Sequence, residues 1–435
     1  MTSSASTFYV FVYLDGKALA VPSGRLQMLE QGSAVLNSVF RYGDRYAERR
    51  HAIALDPFAL ALLGPQVQAE RYPIDANGLA MAEFGVFRDA APDNWGRRVI
   101  ENKLRKLGPL PESEYIRHAG SNRTGALDFR GELTSTESDG RLAGVMDLEY
   151  LQDAAHRIDA GLDVPASLAL IFQAGVSMGG ARPKAVVEAD GRQWLAKFSM
   201  ETDRYNISAI EHATLRLAAR AGLSVPETRL VDLGGNKTAM LIERFDRIPM
   251  SIGYARRHFI SGLTMLRTHE SESPHQSYMA LSNAIAMHGV SGQIGQDQAE
   301  LFARMVFNIL ISNNDDHLRN HGFIYDAPTE CWRLSPLYDV LPMPSLATER
   351  QLHLGVGLSG RLATLPNAMS AHRAFGLTYA AAIAIIDRVC GVVREWRVHF
   401  SEFGVSEEDM VKIAPAMRHP RDVGRDTLTI LRSSL

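Results

Sequence analysis

The sequence predicts an α+β chain of two lobes, the first built on β-hairpins and the second mostly helical. Three observations predict it. Asp15-Gly16 and Asp190-Gly191 each separate two short apolar runs, the pattern of a tight hairpin. Apolar residues recur at helical spacing after Asn206, and again from about Gln298 to Leu310. The polar residues that could do chemistry then fall in a fixed order, a lysine on a hairpin strand first and an Asp/Asn/Asp set after the second helix.

The elements follow in sequence. Segments 8–14 and 17–21 form a hairpin that opens an N-terminal α+β region ending near residue 150. A glycine-rich stretch, Gly175-Val-Ser-Met-Gly-Gly180, precedes a predicted strand over 184–188, the Asp190-Gly191 turn and a returning strand over 194–198 that carries Lys197. Asn206 is a good N-cap, and Ile207, Ile210, Thr214, Leu217, Ala218 and Ala221 share one helical face, with Gly222 suited to end it. That helix carries Glu211, a candidate partner for Lys197. A second hairpin is predicted over 225–233 and 238–242 around Gly234-Gly235, running out into Glu243-Arg-Phe-Asp-Arg247. The helix from about Gln298 buries Leu301, Phe302, Met305, Val306, Ile309 and Leu310 and delivers Asp315 at its end. Helices over 378–396 and after Ser406, where Ser406 and Asp409 approximate a capping box, complete the second lobe.

Asp315 and Asn320 lie five residues apart in Ser312-Asn-Asn-Asp-Asp-His-Leu-Arg-Asn320, and Asp339 follows. Phosphoryl transfer on a protein-kinase-like scaffold needs such a trio: one carboxylate to take the proton of the attacking hydroxyl, an amide and a second carboxylate to hold the magnesium that bridges the ATP phosphates. Short motifs match by chance, and an acidic pair in a loop is ordinarily structural. Here the order of loop, lysine, helix, hinge and base argues for the chemistry. His317 has no second histidine at a metal-ligand spacing and is read as a hydrogen-bonded orienter of the loop.

With 435 residues and 46% hydrophobic content the chain can bury a large core, divided as an N-terminal α+β region over 1–150, a lobe with phosphate loop and hinge over 151–247, and a helical lobe over 248–435. Cys331 and Cys390 are too few for a disulfide framework or a zinc site of their own and point to a reducing compartment. No basic-then-apolar leader pattern occurs, and no apolar run approaches the ~20 residues of a membrane span, so a cytoplasmic, membrane-free protein is expected. A net charge of −3 argues against gripping nucleic acid unaided. The basic clusters at Arg45, Arg49 and Arg50 and at Arg97, Arg98, Lys103, Arg105 and Lys106 read as solvated helix faces.

Seven stretches in order resemble the HipA family of serine/threonine kinase toxins: Ala91-Pro-Asp-Asn-Trp-Gly-Arg-Arg98, Gly125-Ala-Leu-Asp-Phe129, Ser177-Met-Gly-Gly-Ala-Arg-Pro-Lys184, Leu195-Ala-Lys-Phe198, Ile242-Glu-Arg-Phe-Asp-Arg247, 313–320 and Tyr338-Asp-Val-Leu341. The resemblance implies that Asp315 is the catalytic base, that Asn320 and Asp339 bind magnesium, and that Lys197 contacts the ATP phosphates. It places backbone groups of Glu243 and Phe245 at the adenine and Asp246 at the ribose, puts Gly179, Gly180, Ala181 and His317 in the nucleotide site, and matches Ser177 to the family's autophosphorylation site. Pro183 has no N–H to offer a phosphate. The resemblance further implies a helix-turn-helix antitoxin of the HipB type, operator DNA bound only through that complex, and an aminoacyl-tRNA synthetase as substrate. A small-molecule kinase and a non-catalytic corepressor are the alternatives.

Overall fold

The computed structural model describes residues 3–62, 70–135, 142–174, 180–200, 202–235 and 237–428. The chain divides into two compact units, one of Met1–Thr202 with Val231–Arg267, the other of Asp203–Leu230 with Thr268–Leu435. Both mix helix and strand, as the α+β reading requires.

In the first unit β1 (Ser4–Tyr13), β2 (Ala20–Gln31), β3 (Ala34–Tyr42) and β4 (Leu127–Arg130) form an antiparallel sheet in the order β3-β2-β1-β4. The expected first hairpin forms at Gly16 (φ 64), with longer strands than the apolar runs indicated. The extra length includes Glu30, which interrupts the apolar pattern yet is fully buried. Its carboxylate accepts the Ser113 N–H (2.9 Å) and hydroxyl (2.5 Å) at the start of the helix Glu112–His118.

A second sheet contains β5 (Ala143–Gly144), β6 (Lys184–Ala189), β7 (Arg192–Phe198), β8 (Thr228–Asp232) and β9 (Thr238–Glu243) in the order β5-β6-β7-β9-β8, the division between the units falling within β8. Asp190 (φ 52) and Gly191 (φ 69) both take the left-handed conformation that a two-residue hairpin turn requires. Side chains alternate across a strand. Ala185, Val187, Trp194, Ala196, Phe198, Ala239 and Leu241 accordingly pack into one core with Trp95, Val99 and Ile100. Strand pairing then puts Lys197 on the other face with Val186, Leu195, Met240 and Ile242.

In the second unit the helix Ile207–Arg220 is capped by Asn206, whose Oδ1 accepts the Ala209 N–H (3.1 Å), and Gly222 (φ 81) follows its end. The helix Ile294–Ile311 starts one turn earlier than the apolar pattern indicated, after a short 3-10 turn over Ser291–Gln293. Its Leu301, Phe302, Met305, Val306, Ile309 and Leu310 are wholly buried, and Ser312 ends it in the left-handed region (φ 54). Thr378 caps the helix Tyr379–Arg394. Ser406 accepts the Asp409 N–H (3.1 Å), which is one half of the expected capping box. Cys331 and Cys390 are free thiols. Among the described residues no helix is long and apolar enough to cross a membrane.

Asp56, buried in the first unit, accepts the N–H groups of Phe58 (2.7 Å) and Ala59 (3.0 Å). Burial outweighs those bonds and raises its carboxyl to about 6. An acid with a higher pKa folded than unfolded costs nothing below about pH 4 and destabilises progressively as pH rises towards 6. Asp56→Asn keeps the acceptor oxygen and is expected to stabilise the protein at pH 7 by up to about 3 kcal/mol. It should also flatten the pH dependence of urea unfolding across that window; a profile identical to the wild type would show that Asp56 does not titrate there.

Candidate active site

The loop after Ile294–Ile311 sets two adjacent aspartates to different uses. Asp315 is exposed, whereas Asp316 is 1% exposed. Asp316 Oδ2 accepts from Asn308 Nδ2 (2.8 Å), His321 Nε2 (3.0 Å) and the Tyr278 hydroxyl. Burial pushes the Asp316 carboxyl up, but His321 and the Tyr278 hydroxyl outweigh it and hold it below the ordinary carboxylate value. Burial and the Asp316 charge push the Tyr278 phenol well up. Neither Asp316 nor its partners Tyr278, Asn308 and His321 were singled out from the sequence as site residues. The doubled aspartate, with histidines one and five residues after Asp316, is the signal that could have found part of this anchor.

The loop also closes on itself. Asn320 Nδ2 donates to the Asp315 carbonyl (3.0 Å), and the Asn320 N–H donates to the His317 carbonyl (2.9 Å). This spends the amide nitrogen of Asn320 on the loop and keeps Oδ1, the atom able to ligate a cation, as the remaining group. The Tyr338 hydroxyl donates to the Arg319 carbonyl (2.7 Å), tying the segment that carries Asp339 to the loop that carries Asn320. Asp339 is half-buried with a left-handed backbone (φ 57). No cluster of three or more His, Cys, Asp or Glu able to hold a metal occurs among the described residues. One carboxylate and one amide instead fit magnesium, which keeps waters and takes its other ligands from phosphate.

His317 departs from its expected orienting role. Its Nδ1 has no hydrogen-bond partner among the described residues, and its ring lies edge-on to His353, 5.8 Å between centroids. Asp316 and His321 orient the loop instead, because they are the buried, mutually bonded pair.

In the first unit, β9 ends at Glu243, whose carboxylate pairs with Arg192 (3.1 Å). The chain then turns through Arg244, Phe245 and Asp246, closed by the Arg247 N–H on the Arg244 carbonyl (3.3 Å). Asp246, which the resemblance sets at the ribose, is engaged by protein groups. Its carboxylate is buried and accepts Arg244 Nε (3.0 Å) and Nη2 (2.9 Å), Arg247 Nη1 (2.8 Å) and the Gly125 N–H (2.8 Å). Three of these four bonds fall on Oδ2 and one on Oδ1. Burial would raise its pKa, yet the two arginines win and hold it far below the usual range. Gly125 has φ 75, and a Cβ there would meet Phe259 Cβ at 3.1 Å, so the partner of Asp246 must be a glycine.

Lys197 is almost fully buried on β7. Glu211 is buried on Ile207–Arg220 and belongs to the other unit. Gly180 (φ 109) and exposed Ala181 begin the described part of the glycine-rich stretch; Ser177 and Gly179 lie outside the described residues. The basic residues Arg97 and Arg98 are paired, with Glu112 and Asp159 at 2.6 Å each, as solvated helix faces commonly are.

The sequence profile of the HipA-like C-terminal domain matches residues 176–396, just over half of the chain and every candidate residue named above from Ser177 to Asp339. The chain belongs to the HipA family. A relative from Sinorhizobium fredii bearing the name "Putative kinase Y4dM" is 25% identical over 389 residues, which cover 83% of this chain and 85% of that protein. A Haemophilus influenzae protein named "Putative kinase" is 30% identical over 155 residues, 33% of this chain, and the match spans 44% of that relative's length. The structure of HipA in the toxin–antitoxin complex of HipA, HipB and operator DNA from Shewanella oneidensis MR-1 superposes with a TM-score of 0.67 at 17% identity, covering 96% of this chain and 97% of that one. The HipA fold, two-lobed and kinase-like, therefore extends through the N-terminal region that the family profile does not reach.

Asp246→Asn removes the charge that two buried guanidinium groups share in this HipA fold. The expected result is a loss of about 3–5 kcal/mol in urea unfolding. A loss below about 1 kcal/mol would show that the carboxylate does not hold the turn.

Proposed function

We propose that this HipA-family protein is an ATP- and magnesium-dependent serine/threonine protein kinase, acting as the toxin of a pair whose antitoxin is a helix-turn-helix protein of the HipB type. One observation carries the reading: Asp315, Asn320 and Asp339 are linked within one unit by the Asn320 amide on the Asp315 carbonyl and by the Tyr338 hydroxyl on the Arg319 carbonyl. A base and two cation ligands held in fixed relation are what positional catalysis of phosphoryl transfer requires.

In the proposed reaction Asp315 accepts the proton of a serine or threonine hydroxyl as that oxygen attacks the γ-phosphorus and the bond to ADP breaks. Asn320 Oδ1 and the Asp339 carboxylate hold magnesium, which supplies neutralisation of the phosphate charge. Lys197 contacts the phosphates from the face of the sheet it shares with Val186, Leu195, Met240 and Ile242, an apolar surface suited to a purine. Glu243 and Phe245 offer backbone groups to the adenine, and Gly179, Gly180, Ala181 and His317 complete the nucleotide site. Asp246 fixes the Arg244–Arg247 turn beside the ribose position that the resemblance gives it. The three functional parts are 1–150, 151–247 and 248–435.

Phosphate on Ser177 would add about −1.5 to −2 charges to a loop that must approach ATP. Autophosphorylation there is therefore proposed as self-inactivation. The proposed protein substrate is an aminoacyl-tRNA synthetase, as the family resemblance implies, and operator DNA is proposed to be reached only through the antitoxin; the Shewanella structure holds HipA, HipB and operator DNA together.

Intact-mass spectrometry of unmodified protein with magnesium and ATP is expected to show added phosphate on Ser177. Asp315→Asn should slow phosphoryl transfer by roughly 100- to 10,000-fold. Wild-type turnover in that variant would remove Asp315 from the role of base, and label appearing only on a small hydroxylated compound would identify a small-molecule kinase. Asp339→Ala should abolish magnesium-dependent ATP binding; unchanged affinity would remove Asp339 from the cation site.

A further inference from the structure

The N-terminal region grips the end of the phosphate loop through two side chains. Asp93 caps the helix Asn94–Leu104: one carboxylate oxygen accepts the Gly96 N–H (2.7 Å) and the other lies 3.0 Å from Lys184 Nζ, with both side chains buried. Trp95, wholly buried, donates its indole N–H to the Lys184 carbonyl (2.8 Å) and its backbone N–H, more weakly at 3.4 Å, to the Gly180 carbonyl. From the opposite side the Phe198 N–H holds the Pro183 carbonyl (3.0 Å).

The segment is thus anchored by three carbonyls, those of Gly180, Pro183 and Lys184. In a trans peptide the N–H of the next residue points opposite to the carbonyl. Turning the Gly180 carbonyl towards Trp95 therefore turns the Ala181 N–H away from it, and backbone N–H groups are what a phosphate loop presents to its ligand. Pro183 has no N–H of its own, so anchoring through carbonyls costs the segment none of its donors.

We infer that Trp95 and Asp93 are positioning residues for phosphate recognition, aiming the Gly180–Lys184 backbone from the N-terminal region. This rests on reading that segment as the end of a phosphate loop. Trp95→Phe keeps an aromatic ring in the core and the backbone N–H on the Gly180 carbonyl, and deletes only the indole bond to the Lys184 carbonyl. Asp93→Asn keeps an acceptor for the Gly96 N–H and deletes the charge facing Lys184.

The test is calorimetric titration of the full chain and both variants with magnesium-ATP and, separately, with adenosine, which has no phosphates. Each variant is expected to bind ATP roughly five- to tenfold more weakly, the usual effect of one lost buried hydrogen bond, while adenosine affinity stays within about twofold. Equal loss for both ligands, or a lower melting temperature with an unchanged ATP-to-adenosine ratio, overturns the inference and leaves a structural role. A wild type that does not prefer ATP to adenosine overturns the kinase reading itself, a distinct outcome. Should Trp95→Phe fail to fold, Asp93→Asn decides.

Discussion

The buried carboxylate of Asp246 fixes the stretch on which the adenine end of the proposed site depends. Taking a carboxylate and two guanidiniums out of water costs several kcal/mol per ion, and only good geometry with further hydrogen bonds repays it. Here Arg244 and Arg247 close on Asp246, the Arg247 guanidinium also reaches the Gly125 carbonyl at 3.0 Å, and both guanidiniums donate to the Arg123 carbonyl. With the Asp246 carboxylate and the Arg123 and Gly125 carbonyls all engaged by the two guanidiniums, the turn after β9 is held on several sides. The backbone of Glu243 and Phe245 is set by residues 122–125, more than a hundred positions earlier in the chain. The N-terminal region is in this sense part of the proposed hinge.

The second unit solves a similar problem with Asp316. An exposed carboxylate such as Asp315, the proposed base, cannot hold its own position, because a side chain in water gains little from surface contacts. Its neighbour does so instead: Asp316 is buried against Tyr278, Asn308 and His321, and the peptide between the two aspartates carries that rigidity to Asp315. From the other end Ser312 donates to the Ala416 carbonyl (2.7 Å), so the start of the loop is pinned by the C-terminal segment as well. In both units a buried acid next to a functional residue supplies the order that the functional residue lacks.

Much of the fold was legible because its signals are local. Asp190-Gly191 between apolar runs, Asn206 before a helical stripe and the apolar face leading to Leu310 each act within a few residues, and each element formed where the pattern placed it. The long-range polar contacts were not legible. Asp93 and Lys184 are 91 positions apart and Gly125 and Asp246 are 121 apart, and no periodicity relates a carboxylate to a partner at such separations. The same limit hid the partners of Asp246, since Glu-Arg-Phe-Asp-Arg reads as a hinge with a spare acid until Gly125 is seen to face it. Nor could the sequence tell Asp315 from Asp316 by burial. That difference arises from Tyr278 and Asn308 on other helices.

Asp339 shows why such anchoring matters to the chemistry. A non-glycine residue in the left-handed region costs on the order of 1 kcal/mol and persists only where its surroundings determine it. Leu337 and Val340 on either side are buried, the Leu337 N–H is bonded to the Ser224 carbonyl at 2.8 Å, and Tyr338 is bonded to the Arg319 carbonyl. Those three contacts leave the intervening backbone little freedom, so the strain at Asp339 is borne by packing rather than relieved by rotation. A carboxylate held in this way pays the entropy of ordering during folding and does not pay it again on meeting a cation. On the proposed reading, the φ of Asp339 would mark a carboxylate organised before a cation arrives, the condition under which two protein groups would suffice for a metal that draws its remaining ligands from phosphate and water.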